Sequence, residues 1–176
     1  YNLAISRNEE LKAQCPILWS LFAVSEIIGG PWRFANHYSG EPEILIQDAN
    51  HQLYLINGEG KTLWKKQLRE AIIDKIQMVD LYKNGKYQIL FTTPSLLNAV
   101  DRNGNNVPGF PLKMKSEATA APTLVSYEKK GDVRIFVGDG QTVRNIDGAG
   151  KEVKGWKNPE LSESLKLPVA YRSLGG

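Results

Sequence analysis

An internal repeat of about 45 residues is the feature that most constrains how this chain can fold. Three similar stretches each end in a glycine, and these glycines are 44 and 46 residues apart: Gly60, Gly104 and Gly150. A polar residue three positions before each glycine follows the same spacing: Asn57, Asp101 and Asp147. Self-similarity at a period of 40–50 residues is typical of β-propellers, in which each repeat forms one blade.

Two further sets of residues share this period. A second glycine lies upstream in each repeat and precedes a short apolar run: Gly40, Gly85 and Gly131. An aromatic residue closes each repeat, and one more stands a full period before the first of them: Trp19, Trp64, Phe110 and Trp156. Because these aromatic residues recur at one position of the repeat, we expect them to anchor the packing between blades.

Each repeat is predicted to form four short strands. In the second repeat we predict strands at about 73–80, 87–92, 96–101 and 106–112, which have the usual length of strands. Asn-Gly and Asp-Gly pairs, such as Asn57-Gly58 and Asp147-Gly148, predict two-residue type I′ hairpin turns, which need positive φ angles. All six recurring glycines are therefore expected in hairpin turns. A repeat of this kind is a four-stranded antiparallel meander, the form of a propeller blade.

The repeat predicts an all-β fold, a partial β-propeller of three four-stranded antiparallel blades plus an orphan N-terminal strand. The blades are expected at about 27–68, 72–113 and 118–157, within a propeller-repeat domain at 17–171. The orphan strand is expected at 17–22, and the start of a further blade at 167–171. Residues 1–16 form an N-terminal segment with a weak capping-box signal for a short helix, and residues 172–176 a tail.

The beginning of the sequence and the number of blades suggest an incomplete propeller. Tyr1 is not an initiator Met, so we expect a processed product or an excised fragment. Because propellers have 4–8 blades, three blades imply a longer protein or partner copies that cover the edges.

Composition excludes several classes of protein. Hydrophobic residues make up 41% of the chain and charged residues 23%, as in globular proteins. The longest apolar stretch is interrupted by polar residues, so no transmembrane segment is expected. A net charge of +3 is too mild to indicate a nucleic-acid partner. The single Cys15 excludes an internal disulfide.

Residues 53–64, which read LYLINGEGKTLW, resemble the PQQ-like (quinoprotein-type) repeats of bacterial β-propellers. Residues 80–91 and 122–137 also resemble degenerate FG-GAP propeller repeats. The resemblance implies a bacterial cell-envelope protein, located in the periplasm or at the cell surface. Quinone-dependent dehydrogenases of this family use two adjacent cysteines, whereas this chain has one, so we expect no cofactor.

Candidate metal and catalytic residues are sparse. The FG-GAP resemblance makes Asp80 and Asn84 a weak calcium candidate, but non-ligating residues occupy the other ligand positions, so we expect a plain hairpin turn. His37 and His51 are predicted in successive turns, at opposite ends of a blade, so we expect no shared metal. No nucleophile-elbow motif occurs, and we expect no catalytic residues.

The turns between the second and third strands differ from repeat to repeat. We expect these turns on one face, which would form the candidate binding face: Asp48, Asn50, His51, Thr93, Ser95, Asp139 and Gln141. Variable polar turns on a uniform scaffold favour partner recognition. We therefore predict a non-catalytic binding or scaffold module, whose partner is a protein or further copies or blades of its own kind.

Two other functions stay open at this point. One is recognition of a carbohydrate or another polymer, with Trp32 and Tyr38 exposed near the polar turns. The other is an accessory role in a larger envelope enzyme whose catalytic residues lie outside this chain.

Overall fold

The computed structural model describes residues 19–21, 23–127 and 132–170, and these residues form eleven β-strands and no helix. The strands make three antiparallel sheets, each built from strands that are consecutive in the chain. The predicted N-terminal helix and Gly131 lie outside the described residues.

Sheet 1 has four strands in the order β1-β2-β3-β4. Its strands are β1 (Ile27–Ala35), β2 (Pro42–Asp48), β3 (Gln52–Ile56) and β4 (Thr62–Gln67). The central strands β2 and β3 are buried along most of their length, which explains their continuous apolar runs. The outer strand β4 alternates between half-buried and exposed residues, as expected for a strand with one solvated face.

Sheet 2 has the same order, but its outer strands are short. Its strands are β5 (Gln77–Val79), β6 (Gln88–Thr93), β7 (Leu96–Val100) and β8 (Leu112–Lys113). The strand predicted at 106–112 is wrong for most of that range, where the structure has one isolated bridge, between Val100 and Asn106. Pro108 and Pro111 lack the N–H that a ladder needs, and Gly109 has a φ of +86°.

Sheet 3 has three strands, in the order β11-β10-β9. They are β9 (Thr123–Tyr127), β10 (Asp132–Gly138) and β11 (Val143–Asp147). Isolated bridges from β11 and its neighbour Thr142 to Glu152 and Glu160 stand in place of a fourth strand. The Trp156 indole N–H donates to the Val143 carbonyl oxygen at 3.0 Å, a bond that a strand neighbour would otherwise supply.

The chain divides into two compact units between Ala71 and Ile72. In the first unit, sheet 1 contributes an apolar cluster of three buried residues: Ile46, Tyr54 and Ile56. The partly buried side chains of Trp19 and Leu21 pack against this cluster. In the second unit, sheets 2 and 3 share a core that includes Leu90, Leu97 and Ile135.

A further cluster covers the other face of sheet 3, where the C-terminal residues Leu161, Leu165 and Val169 pack against buried side chains of that sheet. The predicted start of a further blade thus lies against sheet 3, although residues 167–170 form no strand.

The four predicted aromatic anchors have different environments. Trp19 lies over the turn that contains Gly60, and its indole N–H donates to the Gly58 carbonyl oxygen at 3.0 Å. Phe110 is buried in the core shared by sheets 2 and 3, whereas Trp156 is 40% exposed and packs edge-on against Phe136. Trp64 is half-buried in β4. Of the predicted orphan strand, residues 19–21 are described, and they lie in no strand.

Candidate functional site

The turns that contain Gly60, Gly104 and Gly150 are built in the same way. In each turn, the Oδ1 atom of the repeated polar residue accepts N–H groups from two and four residues further along the chain. The distances are 3.1 and 2.9 Å for Asn57, 2.8 and 2.9 Å for Asp101, and 2.9 and 2.8 Å for Asp147. These polar residues therefore fold the turns, which accounts for their recurrence without a ligand.

The backbone of these turns corrects the predicted turn type. Positive φ angles occur only at the last glycine of each turn, at +82°, +83° and +78° for Gly60, Gly104 and Gly150. A type I′ turn would need positive φ at both central residues, so the Asn-Gly and Asp-Gly pairs do not form it. The observed geometry is a longer loop that closes on a left-handed glycine.

The two described upstream turns, at Gly40 and Gly85, also use side-chain oxygens as caps. The Asn36 Oδ1 atom accepts from the Tyr38 N–H at 2.9 Å. The Asp80 carboxylate accepts from the N–H groups of Asn84 and Gly85, at 3.1 and 2.7 Å, and the Asn84 Oδ1 atom accepts from the Lys86 N–H. The oxygens of the weak calcium candidate thus already bond to backbone, and no group of three or more His, Cys, Asp or Glu is arranged for a metal within residues 19–21, 23–127 and 132–170.

Three residues of the predicted binding face are internal. Asp48, Thr93 and Asp139 are each at most 2% exposed, so the prediction that they contact a partner is wrong. They occupy equivalent positions of the repeat, at the end of each second strand or just after it. A buried carboxylate must be hydrogen-bonded, and both aspartates are.

Asp48 organises the turn between β2 and β3. Its Oδ1 atom accepts from the N–H groups of Asn50 and Gln52, at 3.0 and 2.9 Å, and its Oδ2 atom accepts from the Tyr54 hydroxyl at 2.7 Å. Burial, together with the hydrogen bond to Asp48, raises the pKa of Tyr54 from 10.0 to about 12. Tyr54 is therefore a structural donor at neutral pH.

Asp139 organises the corresponding end of sheet 3. Its carboxylate accepts from the backbone N–H groups of Lys115 and Ser116, at 3.0 and 2.7 Å, and from the Arg144 guanidinium at 3.3 Å. Arg144 also donates to Glu152 and to the Lys113 carbonyl oxygen. This buried network fixes the segment that links sheet 2 to sheet 3, at residues 114–122.

In every sheet, the turn between the second and third strands bonds to the segment that follows the sheet. The carbonyl oxygens of His51, Ser95 and Gln141 accept N–H groups from Leu68, Met114 and Leu161, at 3.1, 2.9 and 2.8 Å. Turns and links therefore meet at one end of each sheet. We call this the turn-and-link end; in the second unit it comprises Ser95, Lys115, Ser116, Glu117 and Gln141.

The exposed side chains at this end are only partly those predicted. In the second unit, Gln141 is exposed and Ser95 is half-buried. In the first unit, Asn50 is exposed and His51 is half-buried. The exposed residues Lys115, Ser116 and Glu117 belong to the same surface. The place of Lys115 at this surface could not be predicted from the sequence, because its backbone N–H donates to Asp139, a residue 24 positions further along the chain.

The residues proposed for polymer recognition lie elsewhere. Tyr38 is 71% exposed, and its ring lies beside His37 in the β1–β2 turn. That turn is at the opposite end of sheet 1 from Asn50 and His51, so the prediction that Tyr38 lies near the polar turns is wrong. Trp32 is half-buried and lies so close to Gly29 that a Cβ there would be 2.6 Å from the indole ring.

The opposite end of the sheets in the second unit carries the turns that contain Gly85, Gly104 and Gly150, and we call it the glycine-turn end. A groove of about 880 Å³ lies there, between sheets 2 and 3. Its lining includes Tyr82, Pro108, Gly148, Lys151 and Lys154. This groove could not be predicted from the sequence, because it depends on how two sheets pack.

Comparison with known structures supports the fold. The chain is similar to the WD40 domain of Pan2 from Neurospora crassa, with a TM-score of 0.52 and 10% identity over 83% of this chain. A protein of unknown function from Bacteroides caccae matches with a TM-score of 0.38 and 15% identity, also over 83% of this chain. The chain spans 42% of the Pan2 domain and 61% of the Bacteroides protein.

The likeness to the WD40 domain, together with the antiparallel meanders, confirms the prediction of an all-β, partial β-propeller fold. No protein-family model matches the sequence, and no curated protein matches it at a significant level. Within the described part of the chain, no helix is long and apolar enough to span a membrane.

Proposed function

We propose that this protein is a non-catalytic β-propeller module that binds a partner protein through the turn-and-link end. The observation that carries the proposal is the role of the buried aspartates. Asp139 holds the backbone of Lys115 and Ser116, and the neighbouring side chains of Glu117 and Gln141 are exposed. Side chains on a backbone that is already ordered lose little conformational entropy on binding, which favours recognition.

The arrangement of the ionisable groups supports a binding role over a catalytic one. Asp48, Tyr54, Asp139 and Arg144 are buried, and each bonds to other parts of its own unit. Their bonds hold turns and links in place. A general acid or base must instead reach a substrate.

We further propose that the module belongs to the PQQ-like or FG-GAP-like propellers of bacterial envelope proteins. The support is the resemblance of residues 53–64 to that repeat and the propeller fold itself. Fractionation of producing cells tests the location: recovery with periplasmic or surface proteins is expected, and exclusive recovery with cytosolic proteins would contradict this part of the proposal.

Site-specific photo-crosslinking in the producing cells tests the proposed binding end. A photoreactive amino acid at Glu117 or Gln141 should crosslink to a discrete partner protein, whereas one at the exposed Glu59 of a glycine turn should not. For the partner so identified, the double substitution Glu117→Lys with Gln141→Arg should weaken binding at least tenfold, against less than twofold for Glu59→Lys. Equal effects at both places would overturn the assignment.

A further inference from the structure

The groove at the glycine-turn end of the second unit has properties that the turn-and-link end lacks. It is bounded by the β5–β6 turn of sheet 2, by Pro108 and Gly109 after β7, and by the turn that follows β11 in sheet 3. Its volume, about 880 Å³, lies within the range of sites that hold a small ligand or a few residues of a peptide.

Glycines bring the backbones of the two sheets together at the floor of this groove. A Cβ at Gly109 would lie 2.2 Å from the Ala149 carbonyl oxygen, and a Cβ at Gly148 would lie 3.1 Å from the Leu81 carbonyl oxygen. The floor is thus largely backbone. Apolar groups stand beside it, including Val133, Val153 and the ring of Tyr82, which is half exposed.

The acidic residues of the groove are engaged by the protein itself. Asp132 lies 2.5 Å from the Lys83 ammonium and 3.9 Å from the Arg134 guanidinium. Asp147 caps its own turn, and Glu152 accepts from the Arg144 Nε atom at 3.0 Å. These contacts offset the negative charge that the groove would otherwise present to a ligand.

Two basic residues of the groove are not engaged in this way. Lys151 and Lys154 are exposed, and neither ammonium group has a hydrogen-bond or ion-pair partner among residues 19–21, 23–127 and 132–170. Positive charge beside an exposed aromatic ring is complementary to an acidic chain that carries an apolar side chain. The opposite arrangement, a basic ligand, would meet these two ammonium groups at close range.

We propose that this groove binds an acidic segment of a partner protein, with an aromatic or aliphatic side chain of that segment against Tyr82. The inference rests on the proposed protein-binding function and assigns it a second surface, at the opposite end of the sheets from the turn-and-link end. Lys151 and Lys154 would contact the carboxylates of the segment.

Fluorescence anisotropy with the full 176-residue chain tests the inference. The probe is a fluorescein-labelled peptide of alternating Glu and Phe, and the comparison probe replaces each Glu by Lys. The acidic peptide should bind at low salt and weaken as salt is raised, because the contacts are partly ionic. The substitutions Lys151→Glu with Lys154→Glu should weaken binding at least tenfold, and Tyr82→Ala at least threefold.

The matched control changes the same charge outside both surfaces, with Lys75→Glu and Lys166→Glu, whose parent side chains are also exposed and do not line the groove. It should change affinity less than twofold. Equal loss in both double variants, equal binding of the basic peptide, or no binding of the acidic peptide would overturn the inference. These outcomes leave the photo-crosslinking test of the turn-and-link end unaffected, so the two proposals fail separately.

Discussion

The hydroxyl of Tyr54 donates a 2.7 Å hydrogen bond to the Oδ2 atom of Asp48, and both side chains are buried in sheet 1. The other oxygen of the same carboxylate holds the backbone of the β2–β3 turn. One buried carboxylate therefore couples the conformation of a turn to the packing of a strand.

Replacing Tyr54 by Phe should destabilise the protein by about 1–3 kcal/mol at pH 7, because one oxygen of the buried Asp48 loses its donor. The loss should be visible in urea unfolding followed by circular dichroism. Tyr82→Phe, at a half-exposed ring, controls for removal of a tyrosine hydroxyl and should cost less than about 0.5 kcal/mol. Equal costs for both would contradict the role assigned to the bond.

The stabilising effect of the Tyr54 hydroxyl should depend on pH in the alkaline range. The pKa of Tyr54 is about 12 in the folded protein and about 10 when unfolded, so the folded state retains this proton more strongly. The stabilisation that comes from the raised pKa of the Tyr54 hydroxyl is fully present below pH 10 and is lost as the pH rises from about 10 to about 12. The difference in unfolding free energy between wild type and Tyr54→Phe should narrow over that interval; a constant or growing difference would contradict the raised pKa.

Replacing Arg144 by Met should destabilise the second unit by about 3 kcal/mol or more, because Asp139 would remain buried without its cation. Arg134→Met is the matched control, since that guanidinium is more exposed and lies 3.9 Å from Asp132, and it should cost less than about 1 kcal/mol. Chemical denaturation measures both. Similar costs would show that the Asp139–Arg144 pair has no special structural role.

Two glycine substitutions should separate backbone strain from packing. Gly85 and Gly109 both have positive φ, +75° and +86°, but a Cβ at Gly85 meets nothing within 4 Å, whereas one at Gly109 meets the Ala149 carbonyl oxygen. Gly85→Ala should cost about 1–2 kcal/mol from strain alone. Gly109→Ala should cost at least about 1 kcal/mol more, because overpacking adds to strain. Thermal melting of both variants tests the order; equal losses would contradict the close approach of the two sheets.

The repeated turn caps predict a difference between two substitutions of Asp101. Asp101→Ala removes the oxygen that accepts two backbone N–H groups and should cost about 1–2 kcal/mol. Asp101→Asn keeps that oxygen and should cost less, because Asn57 makes the same pair of bonds in sheet 1. Urea unfolding compares the two, and an Asn variant as unstable as the Ala variant would contradict the capping role.

Much of the fold could be predicted from the sequence, because short-range chemistry determines it. The recurring Asn or Asp followed three residues later by Gly builds the same turn in each sheet, and a polar oxygen and a flexible glycine suffice for it. The fourth strands were harder to predict. In sheet 2 the apolar residues Val107 and Phe110 belong to the strand predicted at 106–112, but each is followed by a proline, Pro108 or Pro111, which cannot donate to a ladder.

Less of the candidate site could be predicted from the sequence, because its surface depends on how strands and sheets pack. Variable polar residues in a turn predict partner recognition, and Gln141 is exposed, as a contact residue must be. Asp139, two residues earlier, has the same polarity but is buried against Arg144. Nothing local in the sequence distinguishes the two, since the partners of Asp139 lie on another strand and on the preceding link. The groove near Tyr82 and Lys154 depends on the packing of two sheets in the same way.

An experimental structure of the chain is the most direct test of the central claim, that its sheets are repeated propeller blades. We expect antiparallel meanders in which Gly60, Gly104 and Gly150 each have positive φ. In each turn, a side-chain oxygen three residues before the glycine should accept two backbone N–H groups. Helical segments in place of β6 and β10, or three glycines in unrelated backbone conformations, would contradict it.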